Sequence, residues 1–312
     1  MAVRGRTHTR VVALIEAPER VYRSFFLDST RWADYDPRPG DIVVCTPPKA
    51  GTTWTQRIVS VLVFGEEALP GPLGEISPWV DGAFTPPGEV WRLLRAQRHR
   101  RFLKSHLPLD GLPFHSEVSY LVVARDPRDL AMSAHHHALN LSRMVQQSPH
   151  VVPGKVALPE VPEDVREFWR AYFTRSAFPW ERNGWPFNSP TAHALSWWER
   201  RHEPNVCLLH YQELKEDLAG QMRRVAAFLG QRVDERSWPH LVRACTFAEM
   251  RTDRARLLAG GASGTALASF EFFHKGRNGQ WRGAVTEAEL ALYRAAVDPL
   301  PAELRSWLTR SA

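Results

Sequence analysis

Between Asp41 and Phe64 the sequence changes period. Ile42–Thr46 is a short, largely β-branched run cut by Pro47-Pro48, and after Gly51 the apolar residues Trp54, Ile58, Val61 and Leu62 recur at helical spacing. The stretch therefore predicts a strand, a tight loop and a helix. A helix entered through such a loop presents unpaired backbone N–H groups that favour an anion. Phosphate is the natural guest: Thr52 and Thr53 add hydroxyl donors, Lys49 a flexible point charge, and Trp54 a flat ring on which a base can stack. This is not the Walker loop, because no G-x-x-x-x-G-K-[ST] occurs and lysine here precedes glycine. A generic strand-turn-helix unit without a ligand would show the same change of period.

With 312 residues, 44% of them hydrophobic, the chain can bury one sizeable core, as one large α/β domain or two small ones. No Gly/Ser linker divides it, which favours a single domain over residues 1–312. No apolar run reaches the length of a membrane span, and the first ten residues lack an apolar signal region, so a cytoplasmic protein is expected. Cys45, Cys207 and Cys245 are odd in number and unclustered, as expected of reduced core thiols. A formal charge of +6 suits an anionic ligand without distinguishing a small bisphosphate from nucleic acid or a membrane surface. The kind of basic residue says more. Of forty Lys and Arg only Lys49, Lys104, Lys155, Lys215 and Lys275 are lysine, so where charge alone matters the chain uses arginine. A retained lysine marks a place that needs a compact, flexible ammonium.

Along the rest of the chain, Pro18–Leu27 predicts a weak helix and Gly65–Gly88 a loop around Ile76, Trp79 and Val80. Trp91–Arg101 predicts a basic helix, and Arg101–Ser105 a second strand running into His106-Leu107-Pro108. Lys104 and His106 are two apart, so they share one side of that strand and point into one cleft, at the strand end where open parallel sheets bind ligands. Ser119–Arg125 predicts a third strand, followed by a helix with Asp126 as N-cap, Pro127 at its first position and Ser133 inside it. His135, His136 and His137 sit together on this helix but point three ways and cannot jointly chelate a metal. Asn205–His210 predicts a fourth strand, followed by Tyr211 and a helical stripe, Leu218 to Leu229, closed by Gly230. Helices are expected from Thr286 and from Pro301.

Several of these segments resemble one family. P-K-A-G-T-T-W at Pro48–Trp54 is similar to the phosphosulfate-binding loop P-K-[ST]-G-T-T-W of the cytosolic sulfotransferases, with Ala50 replacing a hydroxyl residue. K-S-H-L-P at Lys104–Pro108 resembles the family's K-T-H-L-P. V-A-R-D-P-R-D-L-A-M-S, ending at Ser133, resembles V-x-R-[ND]-P-x-D-x-x-x-S. Y-Q-E-L-K-E-D-L from Tyr211 and C-T-F-A-E-M from Cys245 resemble two adenine-side elements. H-K-G-R-N-G-Q-W at His274–Trp281 resembles R-K-G-x-x-G-D-W, with His274 and Gln280 replacing the arginine and aspartate.

The resemblance implies an α/β sulfotransferase fold, a P-loop-like parallel β-sheet flanked by helices. It implies 3′-phosphoadenosine-5′-phosphosulfate as donor and adenosine 3′,5′-bisphosphate as product, with no metal required. The loop 46–54 would hold the phosphosulfate through Lys49, Ala50, Gly51, Thr52, Thr53 and Trp54. The segments 125–133 and 274–281 would hold the 3′-phosphate through Arg125, Ser133, His274, Lys275 and Gly276, and Tyr211, Thr246 and Phe247 would flank adenine. His106 would be the catalytic base, with Lys49 and Lys104 stabilising the transferring group. Trp79, His135 and His137 are the expected acceptor-pocket residues. The acceptor itself stays open among phenol, alcohol, sterol, glycolipid and amine. The family's K-x-x-x-T-V-x-x-x-E dimer segment is degenerate here, with Arg282, Thr286, Glu287 and Ala291 at the aligned positions, so monomer and homodimer both remain. Two rivals stand beside this expectation: a non-catalytic nucleotide- or nucleic-acid-binding protein, and an ATP-dependent phosphotransferase. Dispersed basic residues without an RNA-binding motif weigh against the first, and the missing Walker order against the second.

Overall fold

The computed structural model describes residues 12–147, 158–258 and 276–310; the expectations for His274 and Lys275 lie outside these. Among the described residues four strands make the central sheet. They are β2 (Ile42–Cys45), β3 (Phe102–Ser105), β5 (Ser119–Ala124) and β6 (Val206–His210), in the order β3-β2-β5-β6 with every neighbouring pair parallel. β1 (Leu14–Glu16) and β4 (Phe114–His115) form a separate antiparallel pair.

The helices that bear on the site are α1 (Thr52–Phe64), α2 (Leu73–Ile76), α3 (Pro87–Ala96), α4 (Pro127–Gln147), α5 (Val165–Thr174), α6 (Pro190–Trp198), α7 (Tyr211–Glu216) and α8 (Leu218–Phe228). Because successive strand residues face opposite ways, the apolar strands feed two cores. Val43, Cys45, Leu103, Tyr120 and Val122 join residues of α4, α5 and α6 on one face. Ile42, Val44, Phe102, Leu121 and Val123 join residues of α1 and α8 on the other. Among the described residues no helix is long and apolar enough to cross a membrane, and all three cysteines are buried and free of disulfides.

Two sequence expectations fail locally. Pro18–Leu27 is not a helix: Ser24 N donates to Leu27 O at 2.8 Å, and isolated bridges join Arg23 to Asp28 and Leu27 to Gly82. Tyr22, Phe25, Phe26 and Leu27 are all buried, whereas a surface helix would bury only one stripe. The helix expected over Trp91–Arg101 runs instead from Pro87 to Ala96. Pro87 occupies a first-turn position, where a missing N–H costs nothing.

Parallel pairing is what builds the site. All four sheet strands point the same way, so the residues immediately past their ends, Thr46, His106, Arg125 and Tyr211, emerge on one edge.

Candidate active site

The loop after β2 turns sharply, with Lys49 at φ 73° and Gly51 at φ 107°, both left-handed. Gly51 is the N-cap of α1 and supplies no side-chain acceptor to the first-turn N–H groups. Its missing Cβ also matters, because one added there would stand 3.0 Å from the Tyr211 ring. Lys49, Gly51, Thr52, Thr53 and Trp54 line a cavity at the sheet edge, whereas Ala50 is buried and its N–H is spent on Pro47 O at 3.2 Å. Ala50 therefore packs the loop and does not face the cavity.

His106 lies on the same cavity wall. Its Nδ1 is 2.7 Å from the carbonyl oxygen of Thr46, which can only accept, so Nδ1 carries the proton and Nε2 is the basic nitrogen. Thr46 is itself fixed by a 2.6 Å hydroxyl contact with Thr52. Phe26 stacks on the imidazole at 5.7 Å and Trp79 meets it edge-on at 5.0 Å. Burial, and next the neighbouring Lys104 ammonium, hold the pKa of His106 well below the ordinary histidine value. The ring is neutral at physiological pH and able to accept a proton.

The lysines are poised similarly. Burial pushes Lys49 down to about 7, with Arg125 and then Lys104 adding repulsion. Burial pushes Lys104 down to about 8, opposed by Asp81. The Lys104 ammonium rests 4.1 Å above the Trp79 ring.

Arg125 and Ser133 also line the cavity. Asp126 accepts from Arg128 N at 2.8 Å, as an N-cap residue should, and so fixes the start of α4. Arg125 stacks on Tyr211 at 4.2 Å, and its Nε and Nη2 donate to Asn278 Oδ1 at 3.2 and 2.8 Å. Its Nη1 donates to the Lys49 carbonyl at 3.2 Å. Asn278 in turn donates to Gln212 Oε1 at 2.7 Å, and Gly279 N donates to Asp129 Oδ1 at 2.7 Å.

Trp54, Tyr211 and Phe247 give this end three aromatic walls, with Gly276 pressed beneath Phe247. Trp54 is held by donation from Nε1 to Cys245 O at 2.7 Å. Thr246 does not line the cavity: its hydroxyl donates to Arg243 O at 2.9 Å and it N-caps the helix Phe247–Thr252.

At the other end, Trp79 and His137 line the cavity as expected, but His135 does not. His135 Nε2 donates to Pro162 O at 2.9 Å and its ring packs on Phe168 at 4.8 Å. Consecutive helical residues diverge by about 100°, and His136 and His137 take the inward directions. Sequence reasoning missed Phe26, Phe84, His136 and Leu141 on this wall. Phe26 was hidden in the stretch misread as a helix. Also missed was Asp81, a fully buried carboxylate behind His106. Among the described residues no group of three or more His, Cys, Asp or Glu is placed to hold a metal ion.

The Sulfotransferase domain family matches residues 39–304. A glycolipid sulfotransferase of Mycobacterium bovis (strain BCG / Pasteur 1173P2) is 37% identical over 304 residues, covering 92% of this chain and 93% of that protein. Human sulfotransferase 1C2 is 26% identical, covering 82% and 81%. Among solved structures, retinol dehydratase in complex with androsterone and the inactive cofactor PAP superposes with a TM-score of 0.66 at 22% identity, covering 92% of this chain and 89% of that one. Mouse sulfotransferase SULT7A1 complexed with PAP gives 0.63 at 20% identity, covering 91% and 93%. These structural likenesses speak for the fold, an α/β parallel sheet flanked by helices.

Proposed function

The chain belongs to the sulfotransferase family, and from that premise we propose that it transfers a sulfuryl group from 3′-phosphoadenosine-5′-phosphosulfate to a hydroxyl of a small-molecule acceptor, with His106 as general base. One observation carries the proposal: a neutral imidazole, its Nδ1 committed to Thr46 O at 2.7 Å, shares one cavity with two half-buried lysines and the uncapped N-terminus of α1.

The cavity suits the donor in ways that its residues support. A Cβ at position 51 would crowd Tyr211, so the loop keeps room for backbone to approach an anion. The guanidinium of Arg125 offers a forked donor pair, and Ser133 adds a hydroxyl on the same wall. Trp54, Tyr211 and Phe247 would enclose a purine. Lys275 and His274, by family resemblance, would complete the 3′-phosphate site. When bound, the donor supplies an activated sulfuryl group on a phosphate leaving group.

The residues then divide the work. His106 Nε2 takes the proton of the acceptor hydroxyl, which is otherwise a poor nucleophile. Lys104, steadied on Trp79, neutralises charge on the sulfuryl oxygens, and Lys49 follows charge onto the departing phosphate oxygen. In-line transfer asks of the protein mainly positioning and charge stabilisation. Phe26, Phe84, Trp79 and Leu141 make the acceptor end apolar, which suits a hydroxyl carried on a hydrophobic body; the glycolipid sulfotransferase relative supports a lipid-linked sugar as one such acceptor.

Titration with adenosine 3′,5′-bisphosphate, ATP and single-stranded DNA, without magnesium, tests the donor assignment. Tight binding of the bisphosphate alone is expected; preference for ATP or DNA would overturn it. For the base, His106→Ala is expected to lower transfer of labelled sulfate by about 10²- to 10⁴-fold while bisphosphate affinity stays within a few-fold. Retained turnover would remove His106 from that role.

A further inference from the structure

We propose that Asp81 is a positioning residue for transfer: its carboxylate fixes the main chain of His106 and the indole on which the Lys104 ammonium rests, and it supplies the counter-charge behind that lysine. The proposal rests on the sulfuryl-transfer assignment above.

Asp81 is fully buried, yet both its oxygens are engaged. Oδ1 accepts from Trp79 Nε1 at 2.6 Å and from His106 N at 3.2 Å. Oδ2 accepts from Ser105 Oγ at 2.5 Å and from Trp32 Nε1 at 3.0 Å. Burial raises the pKa of Asp81, and the four hydrogen bonds oppose that shift by favouring the ionised carboxylate. Arg31, which pairs with Asp28, feels the charge of Asp81.

The identity of the donors gives the arrangement its meaning. Segment 78–80 is laid alongside β3, with Lys104 N donating to Pro78 O at 2.9 Å and Val80 N to Lys104 O at 3.1 Å. Asp81 closes this run and ties it to the next residue pair of the strand, Ser105 and His106. Trp79, held by the same carboxylate, meets the His106 ring edge-on at 5.0 Å and lies under Lys104 at 4.1 Å. One side chain thus sets the distance between the base and the sulfuryl-facing cation. The charges facing Lys104 are Asp81 behind it and Lys49, with the neutral rings of His106 and His137 alongside. Asp81 is the one anion in that set, and its loss lowers the pH at which Lys104 gives up its proton.

Asp81→Asn keeps the size of the side chain and one acceptor oxygen while removing the charge. A kcat lower by about 10- to 100-fold is expected, with the donor KM and the bisphosphate Kd changed less than about threefold. The alkaline limb of the kcat profile should move to lower pH, a readout that loss of packing alone would not shift. An unchanged kcat, or a fallen kcat with an unmoved alkaline limb, would overturn the proposal. Should Asp81→Asn not fold, Ser105→Ala removes one donor to Oδ2 and carries the test. A kcat lower by about three- to tenfold with intact bisphosphate affinity supports the proposal, and an unchanged kcat overturns it. Loss of bisphosphate binding by the unaltered protein would instead strike the sulfuryl-transfer assignment itself.

Discussion

Lys49 and Lys104 sit in a cavity that pushes them down to about 7 and about 8, so in the ligand-free protein each is close to giving up its proton at working pH. A bound anion favours the charged form, so binding above pH 7 takes up protons and affinity falls as pH rises. The Kd of adenosine 3′,5′-bisphosphate should weaken by up to about tenfold per pH unit above 7 while Lys49 alone titrates, and more steeply above 8. Calorimetry in buffers of different ionisation heat would read the uptake; a flat Kd from pH 6.5 to 9 would contradict it. The ligand-free fold shows the opposite sign. Because these lysines resist protonation relative to an unfolded chain, it gains stability as pH rises above 7. Lys49→Arg should keep bisphosphate binding within about tenfold yet lower kcat by about 10²-fold, because a rigid fork cannot follow a departing oxygen as an ammonium does. Single-turnover rates would check this. Both lysines were legible from the sequence because lysine is so scarce in it. Asp81 was not, since of its four partners only Trp79 is local, while Trp32, Ser105 and His106 lie 49, 24 and 25 positions away and no local pattern joins them.

The strand, loop and helix from Ile42 to Phe64 form close to where the sequence placed them, because the β-branched run, the prolines and the helical period act locally. Residues 18–27 show the contrary case. Their apolar residues mimic a helical stripe, but tertiary contacts pull Phe25, Phe26 and Leu27 into the core and pin the backbone to Gly82 instead. On α4 the helix was legible while the inward face of the histidine triplet was not, since rotation about the helix axis is set by packing against the sheet and α5. The loop yields a test. Gly51→Ala places a Cβ on a residue at φ 107° and within 3.0 Å of Tyr211. A stability loss of about 1–2 kcal/mol is expected, with bisphosphate affinity reduced at least about tenfold as the first turn of α1 shifts. Urea denaturation and titration would measure the two; normal affinity would separate loop shape from anion binding.

At the scale of the molecule, parallel strands drawn from residues 42 to 210 bring their C-terminal ends to one edge, and so residues far apart in sequence share one cavity. The motifs foretold that Lys49, Lys104, His106, Arg125, Ser133 and Tyr211 would meet there but not Phe26, Phe84 or Leu141, and the strand order β3-β2-β5-β6 was not legible, because parallel pairing depends on long crossovers and leaves no local mark. The same edge is closed from the C-terminal side by Asn278, whose amide oxygen occupies the fork of Arg125. If Arg125 holds a phosphate as proposed, that phosphate must displace the Asn278 oxygen, and the same oxygen can refill the fork when the ligand leaves, so ligand departure would be an exchange of partners. Asn278→Ala takes away the replacement. The bisphosphate should then dissociate about tenfold more slowly, the worth of one hydrogen bond to a charged group, as stopped-flow displacement would show; faster dissociation would make Asn278 a ligand contact. If release limits turnover, the pace of such an enzyme is set by how readily a carboxamide reclaims its seat.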